Sequence, residues 1–431
     1  LKFARRLLLK RTFDEMLSNR AMMRMMSSGR GDPLPNFLFQ PAYAGVRERL
    51  EATIFRLGMD GFVAALEHAG LLDAPLQACT WLVTSPVFAI VVCFVAEDCF
   101  TWPLVCRLWD QRLRASDVWI ALFRHLDLTS VSVAPAAQRI PVQLQELSIC
   151  FQYAIKDAGA QTVADSLPPL LTKLRLNFAR CSIGELGAQA VAAKLPVGLK
   201  TLGLDFTFCA IGEGGARAIA KSLPVGLRAL SLDFRYAKVG EGGARAVADK
   251  IPSGLTKLRL NFEQCKIGEG GAVALAKKLP AGLTTLNLDF GNCCIGETGA
   301  RALAEKLPAG LVELRMDFIG CAIGEGGARA VGEKIPERLR RLSLGFANCH
   351  VGEGGARAVA EKLPLGLTEL SLDFLSCAIG DSGARMLAGK LPAGLTGLSL
   401  NFARCHIGEC GAQAVAALLP WGLRFDTCVK L

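Results

Sequence analysis

The sequence predicts an α/β solenoid, with a short parallel strand on the inside and a helix on the outside of each repeat, preceded by a small all-α module. Three observations carry that expectation. Leucines recur every 28 residues at Leu171, Leu199, Leu227, Leu255, Leu283, Leu311, Leu339, Leu367, Leu395 and Leu423, and the residues between them follow one template, LxxLxLDFxxCxIGEGGARAVAEKLPxG. Within each copy the apolar spacing changes from a period of two to helical spacing. Residues before about 140 share none of this, and four of the five Trp lie there. A fixed period in this range means that each unit buries its apolar face only by stacking on its neighbours, which biases function towards binding.

The strand comes first in each unit. Leu174, Leu176 and Phe178 alternate with Arg175 and Asn177, so three apolar side chains share one face and the polar ones the other. Phe recurs without a gap from Phe178 through Phe206, Phe234, Phe262, Phe290, Phe318, Phe346 and Phe374 to Phe402, which predicts a ring stack along the core. The helix follows: Ala188, Val191, Ala192 and Leu195 fall at helical spacing, and Pro196 before Gly198 turns the chain back. An acid opens every helix, from Glu185 to Glu409, where it complements the helix dipole. Six of these acids have Arg four residues on (Arg217, Arg245, Arg301, Arg329, Arg357, Arg385), the favourable order for ion pairs worth about 0.3–0.5 kcal/mol each.

This unit resembles the leucine-rich repeat of the ribonuclease-inhibitor type, LxxLxLxxN/CxL followed by a GxxxL helix. The resemblance covers residues 144–423. One departure stands out: the Asn or Cys of the family lies three residues after the second strand leucine, whereas Leu176 to Cys181 is five. The return loop is shorter to match, which is expected to alter the curvature, so no relative's partner surface is carried over. The expected organisation is a basic arm or targeting segment at 1–35, a helical module at 36–140, the solenoid at 141–423 with a degenerate first repeat and nine full ones, and a C-terminal cap at 424–431.

Eight of the 16 Cys occupy the ladder position (Cys181, Cys209, Cys265, Cys293, Cys321, Cys349, Cys377, Cys405), with Ala237 in the remaining place. Ligands of a zinc ion converge at paired short spacings, whereas these stand one per repeat in a line. Buried reduced thiols closing each turn are expected, with no metal and no cofactor. Reduced thiols favour a cytoplasmic or nuclear setting. The basic start of the chain, eight Lys or Arg against Asp14 and Glu15 in 30 residues, leaves an organelle open.

In the N-terminal module Pro86, Phe94, Leu104, Val105, Cys106, Trp109, Trp119 and Leu122 resemble the F-box, whose later half reads VCRxW, nine residues, then Trp and a hydrophobic residue. The usual Leu before the proline and Glu after it are absent. The resemblance implies that these residues bind the small adaptor of a cullin-type ubiquitin ligase while the repeats hold a substrate. In the same stretch, residues 76–96 lack any charge and are long enough to span a membrane. Gln77, Thr80, Thr84, Ser85 and Pro86 thin its hydrophobicity and favour a buried globular helix.

The net charge of +10 is spread along the chain rather than gathered on one face, so nucleic acid is not an expected partner. The strand row expected to face the concave side carries Asp205, Asp233, Asp289, Asp317 and Asp373 beside Asn177, Asn261 and Asn401. That row is either an acidic stripe or a set of strand-end caps. Positions that depart from the template are free to specify a protein partner. On the concave face these are Lys173, Arg175, Lys257, Arg259, Glu313, Arg315, Arg341 and Glu369. Phe208 and Tyr236, at one template position in adjacent repeats, are either a hot spot or loop packing. No nucleophile and base or phosphate-cradling loop is recognisable, because the glycines belong to the IGEGGA turn. The expected role is therefore a non-enzymatic substrate receptor, with a scaffold subunit of a larger complex as the alternative. Ran GTPase-activating proteins also resemble this repeat type, which keeps a GTPase-activating role as a third reading.

Overall fold

A computed structural model describes residues 125–128, 140, 142–151, 155–418 and 428–430. The arm, the F-box-like residues and the uncharged run at 76–96 lie outside them. Twelve parallel strands form one sheet in strict chain order: β1 (His125–Leu128), β2 (Glu146–Phe151), β3 (Lys173–Asn177), β4 (Thr201–Asp205), β5 (Ala229–Asp233), β6 (Lys257–Asn261), β7 (Thr285–Asp289), β8 (Glu313–Asp317), β9 (Arg341–Gly345), β10 (Glu369–Asp373), β11 (Gly397–Asn401) and β12 (Cys428–Lys430). From β3 to β11 each residue pairs with the one 28 positions on, as in Leu174 with Leu202 and Leu202 with Leu230. The degenerate first unit runs one residue short, since Leu147 pairs with Leu174. Between successive strands from β2 to β12 lie the helices α1 (Asp157–Asp165), α2 (Glu185–Ala193), α3 (Gly212–Lys221), α4 (Gly240–Lys250), α5 (Gly268–Lys277), α6 (Gly296–Glu305), α7 (Gly324–Glu333), α8 (Gly352–Glu361), α9 (Gly380–Gly389) and α10 (Glu409–Leu418).

The core lies between sheet and helices, and the period-two pattern fixes which side chains enter it. Leu174, Leu176, Phe178 and their equivalents are buried, and so are Ala188, Val191 and Ala192 from the facing helix. The Phe rings follow one another from Phe151 to Phe402 with centroids 5.0–6.4 Å apart, stacked in each pair but Phe234 with Phe262, which is tilted by 34°. The stack therefore begins one repeat earlier than the sequence predicts. The cysteine ladder runs beside it. Cys265 Sγ donates to Phe234 O at 2.8 Å, and Cys293, Cys321, Cys349, Cys377 and Cys405 repeat that bond to the Phe 31 residues earlier. Burial pushes the thiols of Cys209, Cys293 and Cys349 up to about 12. At neutral pH these are inert protonated donors, since the thiolate is the reactive form. Cys294 and Cys410 are exposed. In the native protein a thiol reagent is expected to modify Cys294 and Cys410 well before the ladder, with mass spectrometry reporting the order.

The helix-opening acids reach beyond their own helix. A Cβ at Gly214 would collide with the Glu185 carboxylate of the preceding repeat, and Gly242 and Gly326 leave the same room for Glu213 and Glu297. Four of the six anticipated helical ion pairs form: Glu213 with Arg217, Glu241 with Arg245, Glu297 with Arg301, and Glu325 with Arg329 at 2.8 Å. Arg357 turns the other way to Glu361 at 3.2 Å, and Arg385 has no ion-pair partner among the described residues. Both outcomes follow from exposure, where alternative partners differ by less than about 1 kcal/mol.

Helix packing makes one glycine indispensable. Position 332 holds Gly where Ala192, Ala220, Ala248, Ala276, Ala304, Ala360 and Ala388 stand in other repeats. A Cβ at Gly332 would sit 2.8 Å from the Ala358 carbonyl and the Val359 nitrogen, which are backbone atoms of α8. Ala normally gains about 1 kcal/mol over Gly inside a helix. Here overpacking dominates, so Gly332→Ala is expected to lower stability by about 1–3 kcal/mol in chemical denaturation, although it restores the template.

Candidate binding surface on the concave face

From β3 to β11 the first, third and fifth residues of each strand stand on the face opposite the buried leucines. The fifth position is the Asp and Asn row, and its side chains cap the strand ends. Asp205 Oδ1 accepts from Thr207 N at 2.9 Å, Asp289 Oδ1 from Gly291 N at 3.1 Å, Asp317 Oδ1 from Ile319 N at 3.1 Å and Asp373 Oδ1 from Leu375 N at 3.0 Å. Asp233 does the same for Arg235 N and also receives Arg235 Nε at 3.1 Å and the Thr207 hydroxyl at 3.1 Å. Of the two readings the sequence left open, capping is thus realised in every one of these residues, while the charge remains. Neighbouring asparagines relieve part of it: Asn261 Nδ2 donates to Asp289 and Asn401 Nδ2 to Asp373. Burial, opposed by the Gly291 hydrogen bond, still raises Asp289, and burial together with the Asp289 charge raises Asp317 to about 6.

The first and third positions divide the concave face into two regions. On β8 to β10 the charges alternate along a row: Arg341 donates to Glu313 at 2.5 Å, and Glu369 stands on its other side. A shallow depression of about 540 Å³ opens there over Arg315, Ser343, Ser371 and Ser399. On β3 to β6 the pattern differs. The pentapeptide KLRLN occurs twice, as β3 and as β6, so Lys173 and Arg175 face Lys257 and Arg259 across two intervening strands. Three strand spacings separate the pairs by about 14 Å. Lys173 is held by Glu146 at 2.8 Å. Arg175, Lys257 and Arg259 are exposed and have no ion-pair partner among the described residues. Between them lie only Thr201, Gly203, Ala229 and Ser231.

The same two central strands lead into the loops that carry Phe208 and Tyr236. Both residues adopt left-handed backbone conformations, φ 59° and 58°. That region is unfavourable for bulky side chains by about 1 kcal/mol or more. They are 49% and 41% exposed, and their rings stack with centroids 4.4 Å apart. The Arg180 guanidinium lies over Phe208, 5.4 Å from its centroid. The aromatics therefore pack on each other and on Arg180 while their edges stay in solvent. Spacing alone identified the residues, but it could not show that they cluster with the KLRLN strands in four consecutive repeats. The repeated pentapeptide was the signal that could have shown it.

A family model described as "Leucine Rich repeat" matches residues 282–304 and 370–388, two segments that each begin at a strand and end in the following helix. The units they fall in share fold and register with the rest. The solenoid is built of leucine-rich repeats. No curated protein matches the chain. Among solved structures, the leucine-rich repeat-containing protein LegL7 from Legionella pneumophila is similar at 14% identity, with a TM-score of 0.40, over 68% of this chain and 96% of that one. A chain of the Rad7 and Elc1 complex in yeast is similar at 18% identity, with a TM-score of 0.36, over 75% and 95%.

Leucine-rich repeats of this kind form a protein-interaction module. The adaptor-type residues Pro86, Phe94, Leu104, Val105, Cys106, Trp109, Trp119 and Leu122 lie outside the described residues. Among the described residues no helix is long and apolar enough to cross a membrane.

Proposed function

We propose that the chain is a non-catalytic receptor. Its leucine-rich repeats hold a partner protein, and its F-box-like segment presents that partner to a cullin-type ubiquitin ligase. The observation that carries the binding half is the surface of β3 to β6, where uncompensated cations and a solvent-exposed aromatic stack occupy positions the repeat does not need. The ligase half rests on the resemblance of LVCRLWDQRLRASDVWIALF to the F-box. The mechanism is proximity: a bound substrate lysine sees a charged conjugating enzyme at high effective concentration, with no chemistry performed by this chain.

Affinity purification of the full chain beside a Val105→Asp/Trp109→Ala variant tests this reading. A cullin adaptor recovered with the first and lost from the second supports it. A stable stoichiometric complex without the adaptor overturns the ligase role in favour of a scaffold subunit. Acceleration of single-turnover GTP hydrolysis on a small GTPase overturns the non-catalytic role.

A further inference from the structure

The four repeats of β3 to β6 gather three features that the other described repeats lack together. The KLRLN strands place Asn177 and Asn261 where β4, β5, β7, β8 and β10 carry Asp, so neither cationic strand holds an acid of its own. The strands between them are lined by small side chains, and at Gly203 the missing Cβ makes room for Arg175, whose Cγ would lie 3.2 Å from it. The loops leaving those middle strands present Phe208 and Tyr236.

From this arrangement we propose that β3 to β6 form the docking site for an extended acidic segment of a partner protein that also bears a large apolar or aromatic residue. Its carboxylates lie against Arg175, Lys257 and Arg259, and its apolar side chain lies on the ring edges of Phe208 and Tyr236. The proposal rests on the reading that this face binds protein, and it supplies the chemistry of what is bound. Charge complementarity selects the acid. The cations stand unpaired, whereas the buried Asp233 is already held by Arg235 and Thr207. Arg235 also lies in the field of Asp205 and Glu263. Ring geometry selects peptide over nucleic acid. A base stacks on an open aromatic face, and the Phe208 ring already carries the Arg180 guanidinium and the stacked Tyr236 ring.

Phage-displayed random peptides of about 12 residues, panned on the full chain, supply the probe, since an extended segment of that length spans the four repeats. Two variants keep the fold by using residues native to other repeats. Arg175→Ser/Arg259→Ser adopts the residue of Ser231 and Ser343, and Phe208→Asn/Tyr236→Asn adopts that of Asn292 and Asn348, which share the left-handed backbone. Enriched sequences are expected to carry at least two acids and one aromatic or large aliphatic residue. Their synthetic forms are expected to bind about tenfold or more weakly to either variant. Their affinity for the full chain is expected to fall as ionic strength rises. Enrichment of neutral or basic peptides, no enrichment, unchanged affinity in the variants, or tighter binding of single-stranded oligothymidylate than of any selected peptide would each overturn the proposal. A protein that co-purifies with the full chain and equally with both folded variants overturns this site alone and leaves the receptor role standing. Loss of all co-purifying protein from the full chain itself removes the receptor role.

Discussion

Replacing Phe290 with Ala is expected to lower the stability of the solenoid by about 3–5 kcal/mol, the range for emptying a fully buried aromatic site. Phe290 has no solvent exposure, and its ring stacks between Phe262 at 6.4 Å and Phe318 at 6.3 Å. The site cannot collapse easily. The carbonyl of Phe290 accepts the Cys321 thiol and its backbone N–H donates to Asp317 O, so main-chain bonds to the next repeat hold the walls apart. Each repeat contacts only its neighbours, so the loss falls on two interfaces at once and unfolding is expected to spread from the centre of the array. Thermal denaturation followed by circular dichroism checks this. An unmoved transition would mean that the Phe stack contributes no net packing energy.

Asp317→Asn acts in the opposite direction. The Asp317 carboxyl titrates at about 6, above the usual 3.8, chiefly because of burial. The folded chain therefore binds this proton more tightly than the unfolded chain does. The sign is fixed by linkage: above pH 6 the buried charge opposes folding in full, and the penalty fades as pH falls towards 3.8. The gap between 3.8 and about 6 sets an upper bound near 3 kcal/mol. Asn keeps the acceptor for Ile319 N, and it gains a donor towards Asp289, as Asn261 already provides from the other side. The variant is expected to be more stable by about 1–3 kcal/mol at pH 7.5 and close to the parent at pH 4, read from urea midpoints. Equal midpoints at pH 7.5, or an undiminished gain at pH 4, would show that the carboxylate is not under strain.

The repeat was legible because its two periods are incompatible with each other within one element. Leu174, Leu176 and Phe178 alternate strictly, and Ala188, Val191 and Ala192 do not, so strand, helix and buried face followed from spacing alone. Side-chain partners at the surface were less so. Arg357 has Glu353 four residues before it and Glu361 four after, and nothing in the sequence chooses between two exposed acids of near-equal energy. The Asp row could be read as stripe or cap because both need the same residue at the same place. Only the turn that brings Gly291 N to Asp289 Oδ1 distinguishes them. The exposure of Phe208 and Tyr236 likewise depends on a left-handed backbone that their spacing does not reveal, although Gly320 and Asn348 at the same position hint at it.

Strict pairing of each residue with its counterpart 28 positions on, from β3 to β11, makes the array a ruler with a single graduation. Removal of residues 283–310 would join Gly282 to Leu311 and leave Leu258 paired with Leu314, so leucine would still meet leucine. Removal of one residue fewer would leave an odd residue for a loop to absorb, as the loops of the shorter first unit do where Leu147 still meets Leu174. Each unit added or removed thus changes the length of the sheet by about one strand width. Because the KLRLN strands lie three graduations apart, inserting or deleting a unit between them would reset the spacing of their exposed cations while leaving the core intact.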